Sequence, residues 1–168
     1  MEVADDKEPV RIRPATEADM ELLFGLILEL AEYEKLADRV AGDPEVLRRT
    51  LFEQRAAEAL IVELDGEAVG YAIFFTTFSS FECRSGVWIE DIYVRPSARR
   101  GGIGRAVMEQ IVALTLERGH IRLEWTALDW NEPALRFYEK LGAVQLGDWV
   151  THRLDLDGMR RVSRSRPA

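Results

Sequence analysis

Apolar residues repeat along this chain with two periods, and the switches between them outline the elements. Val10-Arg-Ile-Arg13 alternates and predicts a short strand. Thr16, with Asp19 three residues later, comes close to a capping box. The helix it opens, over 17–34, carries Met20, Leu23, Phe24, Ile27 and Leu30/Ala31 on one face. Asp43-Pro44 starts a second helix, with Asp as cap and Pro at the first position, carrying Val46, Leu47, Leu51 and Phe52. Residues 59–64 and 68–75 read as strands joined by a turn at Asp65-Gly66. A Ser/Phe-rich connection over 76–86 leads into a strand over 87–94. In that strand Ile89, Asp91 and Tyr93 point one way, and Glu90, Ile92 and Val94 the other.

A helix starting near Ile103 buries Ile103, Val107, Ile111 and Leu114, and Gly119 suits its C-terminal end. A strand follows over 120–127. Asn131 then caps a short helix ending near Leu141-Gly142, with Ala134, Phe137, Tyr138 and Leu141 in one stripe. Residues 143–146 and 150–156 read as two closing strands. The fold class expected is α/β (α+β), a mixed, mostly antiparallel sheet of about seven strands flanked by four helices. One domain over 10–157 is expected, between a loose N-terminus at 1–9 and a flexible Arg/Ser-rich tail at 158–168.

Composition narrows the function classes. The 168 residues are 47% hydrophobic, which suits a globular domain with a real core. A net charge of −8 argues against nucleic acid and against an anionic membrane surface as partners, and favours a small cation. No apolar run reaches membrane-spanning length, and the start lacks the pattern of a signal peptide. The single cysteine, Cys83, excludes an internal disulfide and fits a cytoplasmic location. With only His120 and His152 beside it, no metal spacing is present, so no metal is expected. Trp88, Trp125, Trp130 and Trp149 read as packing residues, and Arg160, Arg161, Arg164 and Arg166 as a solvated tail.

Candidate chemistry concentrates between the strand ending at Val94 and the helix starting at Ile103. Gly101, Gly102 and Gly104 permit a close main-chain approach, and the first amides of the helix lack internal partners. Such a terminus seats a phosphate, and Arg95, Arg99, Arg100 and Arg105 crowd positive charge around it. The loop lacks the Gly-Lys-Ser/Thr ending of a P-loop. It is no dinucleotide fingerprint either, since Val107 holds the third glycine position.

What remains is Arg99-x-x-Gly102-x-Gly104, followed some thirty residues later by Asn131-x-x-Ala134-x-x-Phe137-Tyr138-x-x-x-Gly142-Ala143. The two motifs in this order resemble the GNAT N-acetyltransferases. Ile12-Arg-Pro-Ala-Thr-Glu-Ala-Asp19, Glu29-Leu-Ala-Glu-Tyr-Glu34, Ile89-Glu-Asp91 and Trp130-Asn-Glu-Pro133 extend the likeness to the diamine (spermidine/spermine) N-acetyltransferase branch, over about residues 10–156. The resemblance implies the GNAT fold, acetyl-CoA as cosubstrate, a primary-amine acceptor and a homodimer. It puts a general acid on Tyr138 and an acidic strand residue near the acceptor on Glu90. It puts cofactor contacts on Ile92, Tyr93 and Val94, on Arg99, Arg100, Gly101, Gly102, Ile103, Gly104 and Arg105, and on Asn131, Pro133, Ala134 and Tyr138. Acceptor-side positions fall on Tyr33, Glu34, Glu90, Asp91, Glu124 and Asp148. Two departures stand out: Arg99-Arg-Gly-Gly replaces the branch's Arg-Gly-aromatic-Gly order, and the 145–149 segment is shorter, which leaves the amine open.

Acetyl transfer to an amine requires a deprotonated nitrogen, and an alkyl ammonium holds its proton to about pH 10.4. A thiolate leaving group of pKa about 8.5 accepts a proton from a phenol of about 10. No activated nucleophile stands out, since Cys83 sits in an irregular segment without a nearby His, so direct attack in a ternary complex is expected. A bland reading stays open for Glu90 and Asp91, as solvent-facing acids or partners of Arg95 or Arg122; Glu29 reads as part of a solvated helix face. A protein N-terminal or lysine acetyltransferase and a catalytically silent acyl-CoA sensor are the rival functions.

Overall fold

The computed structural model describes residues 10–99 and 101–164, so Arg100 lies outside the described residues. The chain forms two compact units, one up to Thr126 and one from Ala127 onward.

The first unit is a five-stranded sheet in the order β1 (Arg11–Pro14), β2 (Glu58–Leu64), β3 (Glu67–Ser79), β4 (Arg84–Val94) and β5 (Leu123–Trp125). The first four strands pair antiparallel and β5 joins β4 in parallel. That geometry follows from the connections. Asp65 and Gly66 both take positive φ, 52° and 78°, which suits a two-residue hairpin. The passage from β4 to β5 holds a whole helix, as a parallel crossover requires. The connection over 76–86 is strand for most of its length: β3 runs to Ser79 and β4 restarts at Arg84. Ser80–Cys83 alone make the turn, with Cys83 at φ 51°. Thr, Ser and Phe there satisfy a ladder as well as a loop.

Helix α1 (Met20–Tyr33) follows a 3-10 turn at Glu17–Asp19. Helix α2 (Pro44–Arg48) is capped by Asp43, which accepts from the Val46 amide at 2.8 Å, and runs on into a π turn at Arg49–Glu53. Leu23 and Leu26 of α1 are wholly buried with Leu51, Ala59, Ile61, Tyr71, Ile73 and Tyr93. Each buried leucine contributes about 2 kcal/mol. The alternate residues Leu60, Val62, Ala72 and Phe74 are also buried and line the other face. Helix α3 (Ile103–Glu117) packs on β4 with Ile103, Val107, Met108 and Ile111 buried. Gly119, at φ 73°, closes it as expected, with the His120 amide donating back to the Thr115 carbonyl.

Two expectations for β4 and its surroundings need correction. Asp91 pairs with Ile73 but Ile89 pairs with Phe74, so Glu90 is an extra residue with no partner of its own. Ile73 and Phe74 face opposite ways, so Ile89 does not share a face with Asp91 and Tyr93. The bulge breaks the alternation read from the sequence. The strand expected over 120–127 is also shorter: only Leu123–Trp125 pairs, with Val87–Ile89.

The second unit holds α4 (Glu132–Lys140) and α5 (Leu156–Arg164). Among the described residues the closing strands expected over 143–146 and 150–156 are absent, and the sheet has five strands rather than about seven. Val144, Leu146, Trp149, Val150 and Leu154 are all exposed. Alternation supplies strand propensity, but a strand exists only where a neighbour takes its hydrogen bonds. Part of the expected frayed tail is helical in α5. No helix among the described residues is long and apolar enough to cross a membrane.

Two substitutions test this architecture. A Cβ on Gly70 would collide with the Tyr93 carbonyl, where Gly70 of β3 stands opposite Val94 of β4. Gly70→Ala is expected to cost about 1–3 kcal/mol in chemical denaturation. Asp19 accepts from both Arg13 guanidinium nitrogens at 2.8 Å and from the Thr16 amide at 2.7 Å. Arg13 holds its carboxyl well below the usual carboxylate range. Its stabilisation is therefore fully present above the unfolded value near 3.9 and is lost as pH falls below it. Asp19→Ala is expected to cost about 2–4 kcal/mol at pH 7, and clearly less at pH 3.

Candidate active site

The site is built where the β4–β5 ladder stops. Pairing with β5 ends at Ile89, immediately before the bulged Glu90. From Glu90 to Val94, β4 has β3 on one side and, among the described residues, no ladder neighbour on the other. The main chain at Ile92, Tyr93 and Val94, expected to meet a cofactor, therefore lies on an open edge.

The loop beyond β4 continues that edge. Pro96–Ala98 make a 3-10 turn, and Gly102 enters α3 in the left-handed region at φ 81°. Gly101 is at φ 95°. A Cβ at either glycine would meet nothing within 4 Å, so the space over this turn is open. The first helical bond runs from the Ala106 amide to the Gly102 carbonyl. The amides of Ile103, Gly104 and Arg105 thus have no partner within the helix. Positive-φ backbone, open space and these donors fit a diphosphate.

The arginines are less available than their number suggests. Arg95 forks onto Glu29, at 2.6 Å and 2.9 Å, and also donates to the Ala68 carbonyl. Arg105 pairs with Glu109 one turn along α3 at 2.7 Å. Arg99 donates to the Val94 carbonyl at 2.8 Å, and its guanidinium lies 4.4 Å from the Tyr33 ring centroid and 6.0 Å from that of Tyr93. It braces α1 against the end of β4 with cation–π contacts. Of the four arginines expected around the loop, Arg95, Arg99 and Arg105 thus have partners of their own, and Arg100 lies outside the described residues. Glu29 is likewise no solvated residue: hydrogen bonds from Arg95 chiefly, and from Tyr93, hold its carboxyl below the ordinary range despite burial.

Acidic residues gather near the end of α1. Asp91 is half-buried, and burial above all pushes its carboxyl up to about 6. Glu90 and Glu34 add to that rise, while the Tyr71 hydroxyl opposes it by donating to Oδ2 at 3.1 Å. Burial raises Glu34 as well. Glu90 is exposed, and its Oε2 accepts from the Trp88 indole at 3.2 Å. Neither acid is the partner of Arg95 or Arg122 that the bland reading allowed. Arg122 instead pairs with Glu124 on β5, at 2.9 Å. Tyr33, Glu34, Glu90 and Asp91 are thereby brought to one region of the first unit.

Three contributors escaped the sequence reading. Tyr71 lies in the strand expected over 68–75 with no site role assigned to it, Glu29 reads as a surface acid and Trp88 as packing. The long-range pairs that recruit them leave no local signal, although Glu29 lies within a quoted motif.

In the second unit, the Asn131 side chain accepts from the Ala134 amide at 3.4 Å and Pro133 occupies the first turn of α4. This is the cap its motif predicts. Tyr138 is half-buried on the same helix, its ring 5.4 Å from that of Phe137. Asp148 is exposed in a turn.

Comparison with known proteins agrees with this geometry. Thialysine N-epsilon-acetyltransferase of Bos taurus is 35% identical over 166 residues, covering 92% of this chain and 97% of that protein. L-ornithine N5-acetyltransferase NATA1 of Arabidopsis thaliana is 26% identical over 200 residues, covering 92% and 88%. Among solved structures, an integron cassette protein from the mobile metagenome of V. cholerae shares the fold with a TM-score of 0.77, at 24% identity and 93% and 98% coverage. The description of the Acetyltransferase (GNAT) family matches residues 27–143. With a split sheet edge, a glycine turn leading into α3 and relatives of full length, this chain belongs to the GNAT family of acetyltransferases.

Proposed function

We propose that this acetyltransferase moves an acetyl group from acetyl-CoA to the primary amine of a small cationic acceptor, such as a thialysine-like amino acid, a diamine or a polyamine. The observation that carries the acceptor half is the gathering of Glu34, Glu90 and Asp91 at the bulge, beside the open edge of β4. The two curated relatives described above act on amines by their names, which supports the same reading.

Acetyl-CoA supplies the activated thioester when bound. The amides of residues 103–105 and the turn at Gly101–Gly102 suit its diphosphate, and the edge at 92–94 suits its pantetheine amides. Asp91 and Glu34 attract the acceptor as an ammonium ion. Glu90, exposed at the bulge, takes its proton through water before attack. Tyr138 gives a proton to the departing thiolate, an assignment supported by its place in the Asn131-to-Ala143 motif. A homodimer fits the exposed Val144, Trp149, Val150 and Val162 of the second unit.

Two measurements check this. A thiol-release assay across thialysine, diamines, polyamines, amino acids and peptides should show turnover with small cationic amines. Tyr138→Phe should lower kcat by about 10²-fold or more, with CoA affinity changed less than about twofold; unchanged kcat would remove Tyr138 from the acid role. The second concerns pH. Asp91 attracts an ammonium only when ionised, so kcat/KM for the amine should fall as pH drops through about 6. Asp91→Asn should abolish that acidic limb, and a limb that persists in the variant belongs to another group.

A further inference from the structure

A phenylalanine would fill the place of the Tyr71 ring, yet the chain carries a hydroxyl there. Tyr71 is 0% exposed. A hydroxyl so deeply buried needs a partner, and the phenol donates to Asp91 Oδ2 at 3.1 Å. The bulge creates this pairing. It sets Asp91 opposite Ile73 and Tyr93 opposite Tyr71, all on the face beneath α1. Tyr71 then lies diagonally across the ladder from Asp91, within reach of a long aromatic side chain. Tyr93, with its ring 6.2 Å from that of Tyr71, gives its own hydroxyl to Glu29 and leaves Asp91 to Tyr71.

The groups acting on Asp91 come from three elements. Tyr71 reaches it from β3, Glu90 stands beside it on β4, and Glu34 approaches from the end of α1. Both carboxylates oppose its ionisation, and so does burial; only the Tyr71 donor favours the anion. Tyr71 is itself too reluctant to ionise to serve as a base, because burial and the Asp91 charge push its phenol well above the ordinary value.

We propose that Tyr71 is a positioning residue for the amine site: its hydroxyl fixes the direction of the Asp91 carboxylate and keeps it anionic against Glu34 and Glu90, so that the site holds a cationic acceptor at neutral pH. The proposal rests on the amine-acetyltransferase reading above. Loss of the hydroxyl leaves the ring, the core and the diphosphate turn in place but removes the one donor that stabilises the charge.

Tyr71→Phe is the test. The variant is expected to melt within a few degrees of the parent and to bind CoA as the parent does. Its KM for the amine should rise about twofold at pH 7 and more at lower pH, as the acidic limb of kcat/KM moves up by about one pH unit. At pH 9, where Asp91 is ionised in both proteins, the two should converge. Carbon-13 NMR titration of the Asp91 carboxyl, assigned with Asp91→Asn, reads the same shift without catalysis. An Asp91 midpoint unmoved by Tyr71→Phe overturns the proposal. So does a midpoint that moves without the kinetic limb following. If Tyr71→Phe does not fold, the NMR titration of the parent decides: a phenol carbon shift that tracks Asp91 ionisation supports the coupling, and its absence overturns it. A parent protein that acetylates no amine sinks the underlying functional reading instead, and the NMR titration still shows whether Tyr71 governs Asp91.

Discussion

One residue too many in β4 organises the first unit. The bulge at Glu90 lies where β5 leaves the ladder, so a single irregularity changes both edges of the strand. On the β3 side it shifts the pairing by one residue and turns Asp91 and Tyr93 toward α1. On the other side, β4 continues with no strand alongside it among the described residues. A regular strand would instead put Ile89 beneath α1 on the face of Asp91 and Tyr93. Bulges are found beside active sites because they re-aim side chains in this way.

The same change accounts for the distribution of charge. Positive groups near the site are tied down: Arg95 by Glu29, and Arg99 by the Val94 carbonyl and the Tyr33 ring. These contacts lock the end of α1 to the loop after β4. The carboxylates of Glu34 and Asp91 are left without an arginine and partly removed from water, so burial disfavours ionisation of both and pushes their carboxyls above the ordinary range. Such a site is costly to keep empty of a cation, and binding an ammonium relieves the cost. On the proposed reading, the main-chain donors of the glycine turn would meet the diphosphate. On that reading, an acidic protein would bind a polyanionic cosubstrate and a cationic acceptor through separate groups.

Much of this was legible in the sequence, for identifiable reasons. Thr16 with Asp19, Asp43-Pro44, Asp65-Gly66, Gly119 and Asn131 act within a few residues of themselves, and each appears where local chemistry places it. The Gly101–Gly102 turn was equally readable. The bulge was not, because Ile-Glu-Asp-Ile-Tyr-Val carries no glycine or proline to mark it and its cause lies in the pairing with β3. For the same reason Tyr71 drew no site role and Glu29 looked like surface, since their partners are 20 and 66 residues away. The closing strands failed in the opposite sense. Residues 143–156 have the alternation of strands, but alternation cannot supply the neighbour that a strand needs.

Hydrogen exchange measured peptide by peptide over 90–105, with and without CoA, tests the central claim most directly. If the bulge frees the β4 edge for the cosubstrate, CoA will slow exchange at the amides of 92–94 and 102–105 and leave β1 and β2 unchanged. Binding of CoA with no slowing in that stretch, or no binding at all, would contradict the account.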